Sequence, residues 1–198
     1  MNRSSKKRKA PPAPRAKRAS GKDAKQRIAL WPVLAFVGRY CLWTVVFYAL
    51  TLLPGYKTVL DYYIEHSVRV DSWILNLFGE QTTVEGATIK SGLSAVTIID
   101  ACMAIQFMVF AAAAICAFPA RLKQKCVGIM ATGLAIEAAN HLRIMTLHLT
   151  NYYRESAFDL VHLEIWPGVL VVVTLGVTLA WIKWAIARPI ADGSHVPA

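Results

Sequence analysis

"IWPGVLVVVTLGVTLAWIKWAIA", residues 165–187, carries a single charge, Lys183. As a helix rising about 1.5 Å per residue, it is long enough to cross the roughly 30 Å hydrocarbon layer of a bilayer. Reading outward from it, three more apolar runs stand out, roughly Ile28–Leu53, Ile98–Phe118 and Val127–Leu149. The whole chain agrees with this reading. Of 198 residues 56% are hydrophobic and 17% charged, against about 25% charged in a typical soluble domain. The expectation is an all-α polytopic membrane protein with four transmembrane helices in a domain over 28–187. Arg39 in the first run is costly at mid-membrane and needs snorkelling, a helix partner or a kink to accommodate it.

The net charge of +10 is uneven. Residues 1–27 hold 11 of the 22 lysines and arginines and a single acid, Asp23. Rich in Pro, Ala and Ser and without apolar periodicity, this stretch reads as a disordered basic cytoplasmic tail that obeys the positive-inside rule. That reading is preferred to a nucleic-acid arm, and no nucleic-acid partner is expected. It is not a secretory signal, because the apolar run behind it exceeds an h-region of about 7–15 residues. The loop 54–97 then lies outside with mixed charges. The loop "PARLKQK", 119–125, is basic and inside, 150–164 is mixed and outside, and the tail 188–198 returns to the cytoplasm. Both termini are thus cytoplasmic, in a bacterial inner membrane.

The outer loop carries structure of its own. Val59, Tyr62, Tyr63, His66, Val70, Trp73 and Ile74 recur at helical spacing, as in an amphipathic helix resting on the membrane interface. "TTVEGATIKSGLSAVTI", 82–98, alternates around Gly86 and Gly92 and reads as a small β-hairpin.

Depth singles out three residues. The second span starts at the outer face, so Cys102 sits just inside it. The third rises from the inner face near Cys126, and Arg143 lies about 25 Å up. His162 precedes the descent of the fourth. Three segments therefore deliver Cys102, Arg143 and His162 to the outer boundary. Cys41 is mid-span, Cys116 lies about 21 Å deeper than Cys102, and Cys126 is at the inner loop. Scattered cysteines without a C-x-x-C pair exclude a disulfide framework and a cysteine metal site; no metal or organic cofactor is expected. Packing alone accounts for most membrane cysteines, snorkelling for many arginines, and interfacial anchoring beside Trp166 for His162. Ala139, Asn140, Thr146 and Leu147 share the face of Arg143, whereas His141 points nearly opposite, with Glu137 as its i, i+4 partner.

"DAC" (100–102), "NHLRI" (140–144) and "FDLVHLEIW" (158–166), in this order, resemble the exosortase/archaeosortase family of membrane cysteine transpeptidases, most closely its compact exosortase H type. The resemblance covers about residues 80–187. It implies Cys102 as thiolate nucleophile, Arg143 as stabiliser of the oxyanion or thiolate, and His162 as the proton carrier. Asp100, Asn140 and Thr146 are expected in support. Cys102 within the first turn of a helix would gain from the helix dipole. The implied substrates are exported, membrane-tethered proteins with a C-terminal sorting signal, cut on the periplasmic side. The chain departs from the family where a small residue and a glycine usually follow the cysteine; here they are Met103 and Ala104. The rival class is a non-enzymatic membrane scaffold or assembly subunit, in which Cys102→Ala is harmless.

Overall fold

A computed structural model describes residues 21–188 except Leu93, with side chains from Leu30 onward. Residues 1–20 and 189–198, most of both expected tails, lie outside the described residues. The chain divides into two units, Met1–Ala35 and Phe36–Ala198. The described part of the first is the opening of helix α1 (Gly21–Leu50), which contains Pro32. The geometry below belongs to the second unit.

After α1, helix α2 (Tyr56–Leu77) leads into an antiparallel meander of three strands, β1 (Thr83–Glu85), β2 (Thr88–Ser91) and β3 (Ser94–Thr97). The expected hairpin is therefore one strand larger, with Val84 opposite Ile89 and Ile89 opposite Val96. Gly86 and Gly92 occupy its turns, both at φ +56°, where a side chain is disfavoured. A 3₁₀ turn (Asp100–Cys102) precedes α3 (Ile105–Ala117), and α4 (Leu122–Tyr153) follows. The last stretch is helical throughout but irregular. It runs from a 3₁₀ turn (Glu155–Ala157) through α5 (Phe158–Leu160) and a π-helical turn (Val161–Ile165) into α6 (Trp166–Ile186).

On length and composition two of the four expected spans qualify, Leu30–Leu50 and Glu155–Ile186. The second run forms a helix of only 13 residues, about 20 Å long, because its first residues are spent in an extended link and the 3₁₀ turn. Helix α4 is long, but Glu137, His141 and Arg143 interrupt its apolar character.

Three apolar clusters fill the second unit. One joins Leu60, Ile64, Val68 and Leu75 of α2 to Ile89, Ile98, Met103 and Ile144. The second joins Ala104 and Ala111 to Ile136 and Ala139 of α4 and Leu170 of α6. The third lies at the opposite end, around Ile115, Trp181 and Ala185. The apolar stripe expected on α2 is exposed at Val59, Tyr62 and Trp73. A second apolar face on the same helix is the one that packs, so α2 is apolar on two sides.

Polar anchors fix helix direction. The Trp181 indole donates to the Gln124 carbonyl at 2.8 Å, and the Gln124 side chain donates to the carbonyls of Ala185 and Arg188. Lys125 donates to the Cys116 carbonyl at 2.7 Å. The start of α4 thus meets the ends of α3 and α6, and α4 runs antiparallel to both. By the same antiparallelism, the start of α3, the outer part of α4 and the start of α6 gather at the other end. There Trp166 Nε1 donates to Thr146 Oγ1 at 2.8 Å.

Candidate active site

Cys102 closes the 3₁₀ turn rather than opening α3. Met103 and Ala104 intervene, so the expected position in the first turn of a helix is not observed, and the macrodipole of α3 does not begin at the sulfur. The pair that departs from the family pattern instead sets the turn. Met103 is fully buried in the α2–sheet–α4 cluster, and Ala104, 2% exposed, is buried in the α3–α4–α6 cluster. Consecutive side chains are thus driven into two different cores. Ala104 adopts φ +48°, the one non-glycine residue at positive φ among those described. The left-handed region costs an L-residue roughly 1–2 kcal/mol. The position where the family usually carries glycine is therefore one whose backbone favours glycine.

Arg143 is 7% exposed on α4. One terminal guanidinium nitrogen donates to the Cys102 carbonyl at 3.5 Å, a long bond, and the charge lies in interaction range of the Cys102 thiol and the His162 ring. Its Nε has no hydrogen-bond partner, and neither has Oδ1 of Asn140, which is 1% exposed one turn away on the same face. Buried polar atoms are nearly always paired, so these two on one face of α4 stand out. Thr146 returns its hydroxyl to the carbonyls of Leu142 and Arg143 and accepts from Trp166. It ties α6 to the turn of α4 that bears Arg143, rather than touching the guanidinium head.

His162 is half-buried in the π-helical turn, edge-on to Phe158 with ring centroids 5.4 Å apart. No hydrogen bond joins its ring to the Cys102 thiol. The π turn adds a residue to the helical turn and re-aims the side chains around it; such bulges recur at functional sites. Asp100 does not join this group. It is exposed and lines a cleft on the other side of the turn with Ala101, Ile105, Gln106, Tyr48 and Tyr56. The cleft is mostly apolar and runs between the end of α1, the start of α2 and α3.

The remaining cysteines stand apart. Cys116 lies at the far end of α3, Cys126 near the start of α4, and Cys41 in α1, all free. Among the described residues no cluster of His, Cys, Asp and Glu could hold a metal ion.

Sequence reasoning paired Glu137 with His141, and the two stand 3.3 Å apart. It missed Asp71 and Tyr63, which complete that cluster from α2. Helical periodicity showed only that α2 had an apolar side; a buried aspartate within it gave no signal until α4 was known to face it.

No curated protein and no solved structure matches the chain. A family model described as transmembrane exosortase matches residues 26–185, from within α1 to the last turn of α6. With most of its length accounted for in this way, the chain belongs to the transmembrane exosortase family.

Proposed function

We propose that this protein is a membrane cysteine transpeptidase that processes C-terminal sorting signals of exported, membrane-tethered proteins at the periplasmic face of the inner membrane. The observation that carries this reading is the pairing of Arg143 with Cys102 in a buried setting that leaves Arg143 Nε and Asn140 Oδ1 unfilled. Four spans, counting α3 and α4, remain part of the proposal, with both termini cytoplasmic.

The chemistry follows from the groups present. The Cys102 thiol gives its proton to His162, and the sulfur attacks the scissile carbonyl carbon. The electron pair of the carbonyl moves to oxygen, and the Arg143 guanidinium, charged at any working pH, stabilises that oxyanion. Asn140 Nδ2 is a further donor at the same depth. Collapse expels the leaving amine, which takes the proton from His162. The resulting thioester is opened by an acceptor amine or by water. The apolar cleft beside Ala101 and Ile105 suits the peptide next to the scissile bond, and its rim carboxylate, Asp100, supplies polarity there. His162 closes on the sulfur when substrate binds, since catalytic hydrogen bonds often tighten only in the complex.

The test is a tethered reporter, an exported domain ending in a hydrophobic helix and a basic tail, expressed with the protein. Wild-type protein is expected to release or transfer the domain, and Cys102→Ala to leave it full length. A reporter processed equally with Cys102→Ala would contradict the reading and favour a scaffold.

A further inference from the structure

On the face of α4 turned away from Cys102, four polar side chains form a chain. Asp71 of α2 is fully buried, and its Oδ1 lies 2.7 Å from Nδ1 of His141. Nε2 of the same ring lies 3.3 Å from Glu137 Oε1, and the Tyr63 hydroxyl donates to Glu137 Oε2. With a carboxylate oxygen against each ring nitrogen, the arrangement fits the imidazolium, the form that donates from both.

The geometry of this chain is more than adhesive. Tyr63 and Asp71 are eight residues apart on α2, about 12 Å, whereas Glu137 and His141 are four apart on α4, about 6 Å. Two contacts on each helix, unequally spaced, fix both the height of α4 and its rotation. Rotation matters because Arg143 stands two residues beyond His141, about 200° around the same helix. A twist of roughly 20° moves a group 5–6 Å from the axis by about 2 Å. The Arg143–Cys102 contact is already at 3.5 Å, so such a twist breaks it.

We propose that Tyr63, Glu137, His141 and Asp71 form a rotational lock through which α2 aims Arg143 at Cys102, making these four positioning residues of the candidate site. The inference rests on the proposed roles of Cys102 and Arg143. It extends them to a helix that contributes nothing to the reacting atoms. The apolar contacts of Ile144 with α2 hold the two helices together without the lock, so its loss loosens aim rather than fold.

The test uses the full chain in proteoliposomes with Cys41, Cys116 and Cys126 changed to Ser. The rate of alkylation of Cys102 by an impermeant maleimide is followed at pH 7. Asp71→Ala is expected to slow alkylation at pH 7 about five- to tenfold, because a displaced Arg143 no longer assists the attacking sulfur. Asp71→Asn, which keeps an acceptor for the ring, recovers most of the rate. In an Arg143→Ala background Asp71→Ala should add nothing, because its effect runs through that arginine. If Arg143→Ala slows the reaction while Asp71→Ala leaves the rate unchanged, the lock is overturned and the site reading stands. An equal further loss in the Arg143→Ala background indicates general loosening and also overturns the lock. Unchanged alkylation in Arg143→Ala overturns the site and the lock together. Should Asp71→Ala fail to fold, Tyr63→Phe, lacking one hydroxyl, carries the same cycle.

Discussion

Helix α4 presents two polar faces, and they are finished differently. Toward α2, Glu137 and His141 meet Tyr63 and Asp71 in a nearly closed set of hydrogen bonds, with Oδ2 of Asp71 the one atom of the four side chains left buried and unpaired. Toward Cys102, Arg143 makes a single long bond through one terminal nitrogen, while its Nε and Oδ1 of Asn140 are buried without a partner. The two faces share a helix, a depth and a residue chemistry. What separates them is that the first leaves one carboxylate oxygen over, whereas the second leaves a guanidinium donor and an amide acceptor unpaired and ties its charge by one long bond. A charged group buried without a matching acceptor destabilises the fold, and the proposed function gives the incomplete face a use that offsets this cost.

That contrast predicts where activity and stability part. Arg143→Lys should lower processing of a tethered substrate by about 100-fold or more, since one oxyanion donor is worth roughly 10²–10³ in rate and an ammonium does not reproduce the planar fork. The thermal unfolding temperature in detergent should stay at the wild-type value. A lysine variant that retains full activity would erase the distinction between the faces.

The turn between the two faces comes next. Met103→Ala should cost about 2–5 kcal/mol, the usual range for truncating a fully buried methionine, read as a lower midpoint of denaturation. Because Met103 holds the turn in the α2 cluster, Cys102 reactivity should fall with stability. Separation of the two effects would show that the turn is held by other contacts.

At the opposite end of α4 the balance reverses. A Cβ on Gly128 would collide with the Trp181 indole, where α4 and α6 approach closely. Gly128→Ala should destabilise by about 1–3 kcal/mol through overpacking, while Cys102 labelling is unchanged. Loss of labelling in this variant would mean that the two ends of α4 are coupled.

The smallest effect is expected at Ala104. Replacing it with glycine removes the left-handed penalty of roughly 1–2 kcal/mol but also about 0.8 kcal/mol of buried methyl. Ala104→Gly should therefore be neutral to slightly stabilising and keep Cys102 reactive. Ala104→Val, β-branched at positive φ, should be clearly destabilised. Equal stability of the valine variant would show that the turn has relaxed out of the left-handed region.

Much of this layout was legible in the chain. Helical rise brought Cys102, Arg143 and His162 to one level, and the antiparallel anchors at Gln124, Trp181 and Lys125 put the elements bearing them at one end. Gly86 and Gly92 marked turns because tight reversals need positive φ. The departure at Ala104 was visible as a missing glycine, although its meaning appeared only with the backbone. Other features depended on tertiary partners. Of the four runs, the second forms only the 13 residues of α3, because its first residues lie in an extended link and a 3₁₀ turn, which apolar residues enter as readily as a helix. Asp100 sits beside Cys102 in sequence but faces a separate cleft, since a 3₁₀ turn spreads neighbours about 120° apart. The π turn at His162 has no signature in the residue pattern, and Asp71 looked like any charge in a loop until His141 gave it a partner.

Central to the proposed function is that Cys102, Arg143 and His162 act as one unit. The most direct measurement is labelling of intact spheroplasts with an impermeant thiol reagent, comparing wild type, Arg143→Ala and His162→Ala. The account predicts modification at Cys102 from the periplasmic side, several-fold slower in both variants at neutral pH. Equal labelling in all three proteins, or protection of Cys102 from the outside reagent, would contradict it.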